Sequence, residues 1–273
     1  MIQNIIKNRA SRLFIVLGGF FIANALIAEF IGVKIFSLED TLGVPRANLS
    51  IFGGSFSFHL TAGVLLWPVV FVMTDIINEY FGPKGVRFLS FLAVGLISYA
   101  FLIIFLSMQI SPSEYFRLGE KVPDANAAYS GVFGQGLWII VGSLVAFLVG
   151  QVLDVFVFHR IKKATGDKRV WLRATGSTLV SQLIDSFIVL MIAFYIGPLL
   201  SGDLSKQWSL GQVLVTGTGN YIYKFIVAIL LTPVIYLAHS WIENYLGRET
   251  ATKMKKAAMG RGEDQQVNIP AAG

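Results

Sequence analysis

Residues 86–110 read VRFLSFLAVGLISYAFLIIFLSMQI, with Arg87 as the only charge and apolar side chains all round a helix. A helix rises 1.5 Å per residue, so about 20 such residues cross the ~30 Å hydrocarbon core of a bilayer. This stretch is long enough to span. Runs of the same character lie to either side of it, near 13–31, 56–74, 131–158, 174–200 and 212–239. Hydrocarbon offers the backbone no water, so each run is expected to close its hydrogen bonds as a helix. The sequence therefore predicts an all-α integral membrane protein. It has six transmembrane helices in a single domain over 1–247, and a polar tail over 248–273 whose composition predicts disorder.

Composition agrees. Of 273 residues 55% are hydrophobic and 14% charged, and mean hydropathy is +0.67, against roughly 25% charged residues in a soluble domain. A net charge of +6 would in a soluble chain suggest nucleic acid. Here sixteen of the 22 Lys and Arg fall before residue 13, at Lys84 and Arg87, within 159–173 and after 247. Five fall in the alternate connections 32–55, 111–130 and 201–211, and Lys224 lies inside a span. By the positive-inside rule the sixteen are cytoplasmic, and both termini with them. The expected partner is the lipid bilayer, with no nucleic acid. The absence of Cys excludes a disulfide framework, a thiolate metal site and a Cys nucleophile.

No Gly-rich nucleotide loop, His-Glu-x-x-His or Gly-x-Ser-x-Gly occurs. His59, His159 and His239 belong to different span ends. No catalytic residue, metal or cofactor is expected, and the chain reads as a transporter or membrane-embedded binding protein rather than an enzyme.

Charges deep in a span cost at least about 2.5–3.5 kcal/mol each, so they face the protein interior and mark substrate or ion paths. Asp154, Asp185 and Lys224 fit that description, with Gln151, Gln182, Asn220 and Asn24 as uncharged companions. Gln151 precedes Asp154, and Gln182 precedes Asp185, by three residues, which places each pair on one helix face. Asp185 and Lys224 each lie about 17 Å along their helices, near the midplane, where an opposite pair can keep both charges. A third cluster, Asp75, Asn78 and Glu79, closes the second span. Its two carboxylates share a face at i and i+4, at the end of the macrodipole that disfavours anions. They demand cations, which the basic connection near 160–173 can supply, and they read as a gate or an ion-pair clamp. Interhelical hydrogen bonds and static ion pairs are the structural alternatives for all these residues. Pro68 predicts a kink in the second span.

The stretches Trp67-Pro68, Thr74-Asp75-Ile76-Ile77-Asn78-Glu79-Tyr80-Phe81-Gly82, Gly150-Gln151-Val152-Leu153-Asp154-Val155-Phe156-Val157-Phe158 and Ser177-Thr178, with Gln182 and Asp185-Ser186, resemble the queuosine precursor transporter family. It is also called the vitamin uptake transporter family, and the resemblance covers about 13–240. It implies a six-helix protein of the bacterial inner membrane that imports 7-deazaguanine precursors of the tRNA base queuosine. The outer segments 32–55 and 111–130 and the tail are longer here than in the family pattern. A guanine-type edge suits one carboxylate, and its π face suits an aromatic side chain. Asp154 or Asp185 can take the edge, Gln151, Gln182 or Asn220 the carbonyl and remaining nitrogens, and Trp67, Phe156, Phe187 or Tyr223 the face. The alternative is a substrate-capture subunit for a vitamin-like molecule, docked on a separate ATPase. Such subunits dock through small residues at four-residue spacing on the first helix, and Ala23, Ala25 and Ala28 do not keep it.

Overall fold

The computed structural model describes residues 8–46, 49–51, 54–56, 59–134, 136–165 and 170–258. The tail beyond 258 and part of the basic connection, 166–169, lie outside the described residues. Among them, five helical runs are long and apolar enough to cross a membrane: Arg9–Ile31, Trp67–Met108, Ala125–Thr165, Leu172–Ser201 and Leu210–Leu246.

Helix α1 (Arg9–Ile31) begins where the Asn8 side chain accepts hydrogen bonds from the backbone N–H groups of Ala10 and Ser11, satisfying donors that the first turn leaves orphaned. The following segment contains strand β1 (Ile35–Ser37), the short helix α2 (Leu38–Leu42), and strands β2 (Leu49–Ile51), β3 (Gly54–Phe56) and β4 (His59–Thr61). β1 pairs antiparallel with β4, Ile35 opposite Thr61, and β2 pairs antiparallel with β3. The expected second span, 56–74, is corrected here: Phe56 ends a strand, residues 59–65 form strand and 3-10 turn, and α3 (Trp67–Met108) starts later. Pro68 accordingly sits in the first turn of α3 rather than kinking its middle, a position where its missing N–H is no loss.

α3 is two limbs joined at Gly82, whose φ of 70° and ψ of −175° are non-helical. That region is essentially restricted to glycine. Gly63, ahead of the first limb, lies against the Ala28 carbonyl, and Phe81, at that limb's end, packs on Phe14 with ring centroids 4.9 Å apart. In the second limb Leu89 fills the space over Gly18, and Phe101 meets Phe30 at 5.6 Å. The first limb therefore runs antiparallel to α1 and the second returns parallel to it. The two account for parts of the expected second and third spans.

Helix α4 (Ala125–Phe133) is capped by Asp124, whose carboxylate accepts from the Ala127 N–H at 2.8 Å. It precedes α5 (Leu137–Thr165). Helix α6 (Val170–Leu190) continues as a π-helix over Met191–Ile196 and then as α7 (Gly197–Ser201). α5 and α6 come close because Gly142 has no side chain: a Cβ there would stand 3.0 Å from the Val189 carbonyl oxygen. Small residues at such contacts suit a membrane, where burial between helices supplies little drive and van der Waals contact must do so. Helix α8 (Leu210–Leu246) opens on a reciprocal capping box between Ser209 and Gln212. Helix α9 (Arg248–Ala258) corrects the expected disorder over its own length. Its Ala251 and Met254 join the core, and Ala258 lies against Gly82. That core gathers Leu13, Phe21 and Ala25 of α1, Val70, Ile77, Ala93 and Ile97 of α3, and Phe147 of α5. Phe88, Phe91, Leu102, Leu230 and Leu237 remain exposed, the side chains a bilayer would cover.

Gly82→Ala should cost about 1–3 kcal/mol from backbone strain, read as a lower melting temperature in detergent. Gly95→Ala, inside the second limb and meeting nothing within 4 Å, is the control expected to keep or raise the melting temperature, since Ala favours helix over Gly. Equal melting of the two variants would contradict the turn at Gly82.

Candidate functional site

At the end of the first limb of α3, Glu79 is fully buried and holds two cations. Lys162 Nζ, on the last turn of α5, donates to Glu79 Oε2 at 2.9 Å, and Arg173 Nη2, on the first turn of α6, donates to Oε1 at 2.8 Å. The demand of the acidic cluster for basic partners is answered at Glu79. Its neighbours reach outward too. Asn78 Oδ1 lies 2.9 Å from His159 Nε2 on α5, and the Tyr80 hydroxyl lies 3.0 Å from His239 Nδ1 on α8.

One turn up the limb, Asp75 and Asp154 converge on a single hydroxyl. Thr178 Oγ1 lies 3.4 Å from Asp75 Oδ2 and 3.4 Å from Asp154 Oδ1, and Ser181 Oγ donates to Asp154 Oδ1 at 3.3 Å. A hydroxyl has one hydrogen, so Thr178 serves one carboxylate at a time. Gln151 Nε2 donates to Thr74 Oγ1 at 3.1 Å, tying α5 to the same limb.

Beside this layer opens a cavity lined by Trp67, Pro68, Phe71, Val72, Asp75, Thr178, Gln182, Lys224 and surrounding aliphatic residues. Its volume is about 30 Å³, room for a water or two. Two polar atoms of its lining residues, Asp75 Oδ1 and Gln182 Nε2, are buried with no hydrogen-bond partner among the described residues. Lys224 Nζ donates to Asp185 Oδ2 in an ion pair that keeps both side chains mostly buried.

Of the residues expected to bind substrate, Trp67, Gln182 and Lys224 line the cavity, and Asp185 stands behind Lys224. Gln151, Asp154 and Asn220 do not line it. Asp75, expected at a gate, is a cavity wall, while Asn78 and Glu79 lie deeper in the ion-pair layer. Phe71 was not expected there, and Thr178 entered only among the residues that carry the resemblance. A stripe at four-residue spacing, Trp67, Phe71 and Asp75, carried that signal.

Residues 61–238, which contain every one of these cavity and ion-pair residues, match the sequence profile of the family described as "Putative vitamin uptake transporter". A Bacillus subtilis (strain 168) protein named "Probable queuosine precursor transporter" is 31% identical over 204 residues, covering 72% of this chain and 80% of its own. The chain belongs to the vitamin uptake transporter family. An Escherichia coli (strain K12) relative named "Queuosine precursor transporter" is 27% identical over 179 residues, 66% of this chain and 72% of its own. A Haemophilus influenzae relative, named like that of Bacillus subtilis, is 29% identical over 187 residues, 66% of this chain and 68% of its own. No solved structure matches significantly. As a member of this family the chain is a multi-pass membrane transporter rather than an enzyme. Names of transporters lend nothing to the capture-subunit alternative.

Removing one partner from a buried ion cluster costs about 3–5 kcal/mol. Glu79→Gln is therefore expected to lower the melting temperature and the yield of folded transporter sharply. Wild-type melting in that variant would show that the cluster does not clamp α3 to α5 and α6.

Proposed function

We propose that this transporter imports a queuosine precursor, a 7-deazaguanine-type base, across the bacterial inner membrane. One observation carries the reading: the cavity presents an unpartnered acceptor, Asp75 Oδ1, an unpartnered donor, Gln182 Nε2, and the aromatic side chains Trp67 and Phe71. A guanine-type edge has a ring N–H and an amino group for a carboxylate, a carbonyl for an amide nitrogen, and a flat face for stacking. Each unsatisfied buried group then gains the partner it lacks. The carboxylate that reads the edge is Asp75, in place of Asp154 or Asp185. The names of the Bacillus and Escherichia relatives support the same substrate class.

Lys224 is held by Asp185 rather than free for a ligand, so this pair sets the position of the cavity wall. At about 30 Å³ the cavity is contracted, and a base enters when the first limb of α3 parts from α6 and α8. The chain crosses six times, because the limbs of α3 run in opposite directions about Gly82. Both termini are cytoplasmic, placing the Glu79 cluster at the inner end and Asp203 and Lys206 outside.

Expressed in a bacterium that can neither make nor import 7-deazaguanines, the protein is expected to restore queuosine in tRNA at low external precursor. Asp75→Asn should abolish that restoration at unchanged protein level, whereas Asp154→Asn should weaken it less. Unchanged tRNA with verified membrane insertion, or full activity of Asp75→Asn, would overturn the assignment.

The chain has no Cys, so orientation is read with single cysteines and an impermeant thiol reagent on intact cells. Cysteine at Ser205 should label and cysteine at Thr252 should label only after lysis; the reverse pattern would invert the topology.

A further inference from the structure

A second cavity, of about 400 Å³, lies between the start of α5, the π-helical stretch and the segment that leads to α8. Trp138, Phe194, Pro198 and Trp208 form its apolar wall, and Asp203 and Lys206 carry its charge. Phe194 and Trp208 stack with ring centroids 4.2 Å apart and planes 12° apart. The backbone N–H of Trp208 donates to the Phe194 carbonyl at 2.8 Å, so the loop is pinned to the π-helix. Trp138 is seated as firmly. A Cβ at Gly197 would come within 2.3 Å of its ring, so the indole lies directly over that glycine.

We propose that this outer cavity is a first binding site for the planar base, occupied before the central cavity opens. The inference rests on the import reading, which places Asp203 and Lys206 on the side from which the substrate arrives. Of the two cavities, the outer one has room for a base in this conformation, and the central one does not. Its wall is built of rigid aromatic rings, on which any nucleobase can stack. Asp203 supplies the carboxylate. Lys206 pairs with its Oδ2 and Ser205 donates to its Oδ1, which holds it below the usual carboxylate range and ionised. Unlike the buried Lys224 pair, this pair faces solvent, so a guanine-type edge competes for the remaining lone pairs of its oxygens. Ligands lacking a flat face gain nothing from the wall, and ligands lacking a donor edge gain nothing from Asp203. The route inward follows one helical run: Gln182, at the central cavity, and Phe194, at the outer one, are about 18 Å apart along it.

The test uses tritiated 7-deazaguanine with the full-length protein, for equilibrium binding in detergent and for uptake into proteoliposomes. Trp208→Leu, which keeps apolar bulk but removes the ring, should raise the half-saturating external concentration about five-fold or more while the maximal rate stays within about two-fold. Trp208→Phe should keep the wild-type value. Should Trp208→Leu fail to fold, Asp203→Asn, at a half-buried loop position, is expected to lose the preference for 7-deazaguanine over competing adenine. Asp75→Asn, disabled at the central cavity, should still bind base, and adding Trp208→Leu should abolish that binding. Unchanged half-saturation in Trp208→Leu, or no binding by Asp75→Asn, would overturn the outer site and leave import standing. Absence of uptake by the wild type, with Trp208-dependent binding intact, would overturn import and leave the outer site standing.

Discussion

A buried carboxylate between two buried cations organises this membrane domain. Glu79, Lys162 and Arg173 come from three different helices, and each is almost wholly withdrawn from solvent. A charge in such a place is intolerable without its partners, so α3, α5 and α6 have one acceptable relative position at this end. Pairs of this kind contribute little net stability compared with apolar packing, but they discriminate strongly among arrangements. Neighbours on the same turn extend the constraint: Asn78 holds His159 and Tyr80 holds His239. Three successive residues thus fix the first limb of α3 against α5, α6 and α8.

From that anchor the polar interior can be read upward. Asp75 lies one turn from Glu79, so the clamp also sets the height at which its carboxylate meets Thr178 and Asp154. The helices approach closely enough for such contacts because glycine and serine line them. Gly142, Gly150, Ser177 and Ser181 leave space that branched side chains would fill. Hydroxyls in the gap satisfy some carboxylate oxygens and leave Asp75 Oδ1 and Asp154 Oδ2 without a hydrogen-bond partner among the described residues.

Much of this was legible in the sequence, and the rest was hidden for identifiable reasons. Apolar runs near 13–31, 86–110 and 212–239 announce themselves by length, and the helices found there follow them. The start of the second span does not, because 56–66 is as apolar as a helix while the β pairing of 59–61 depends on partners 22 to 26 residues away. Lys224 and Asp185 were legible as a pair because an isolated charge of either kind is costly at that depth. That Asp75 lines the cavity was not legible. Its proximity to Glu79 in sequence suggested a common role, whereas one helical turn separates a cavity wall from a clamp. Asn220 shares a helix face with Lys224 but does not reach the cavity, since which part of a face meets a neighbour depends on the crossing of helices.

The charges around the central cavity bear on what it can select. Lys224 is committed to Asp185, so the pair presents little net field to a ligand. Asp75 shares its hydrogen-bond donor with Asp154 and keeps one oxygen without a partner. A simple cation would answer the charge of Asp75 but leave the Gln182 amide nitrogen unsatisfied, and an anion would do the reverse. A neutral molecule with donors and an acceptor along one edge answers both at once. The apolar side chains around them penalise any further polar group that finds no partner. Under the proposed function, selectivity for a flat base would come from two orphaned atoms in a mostly apolar wall, and it would require no net charge on the ligand.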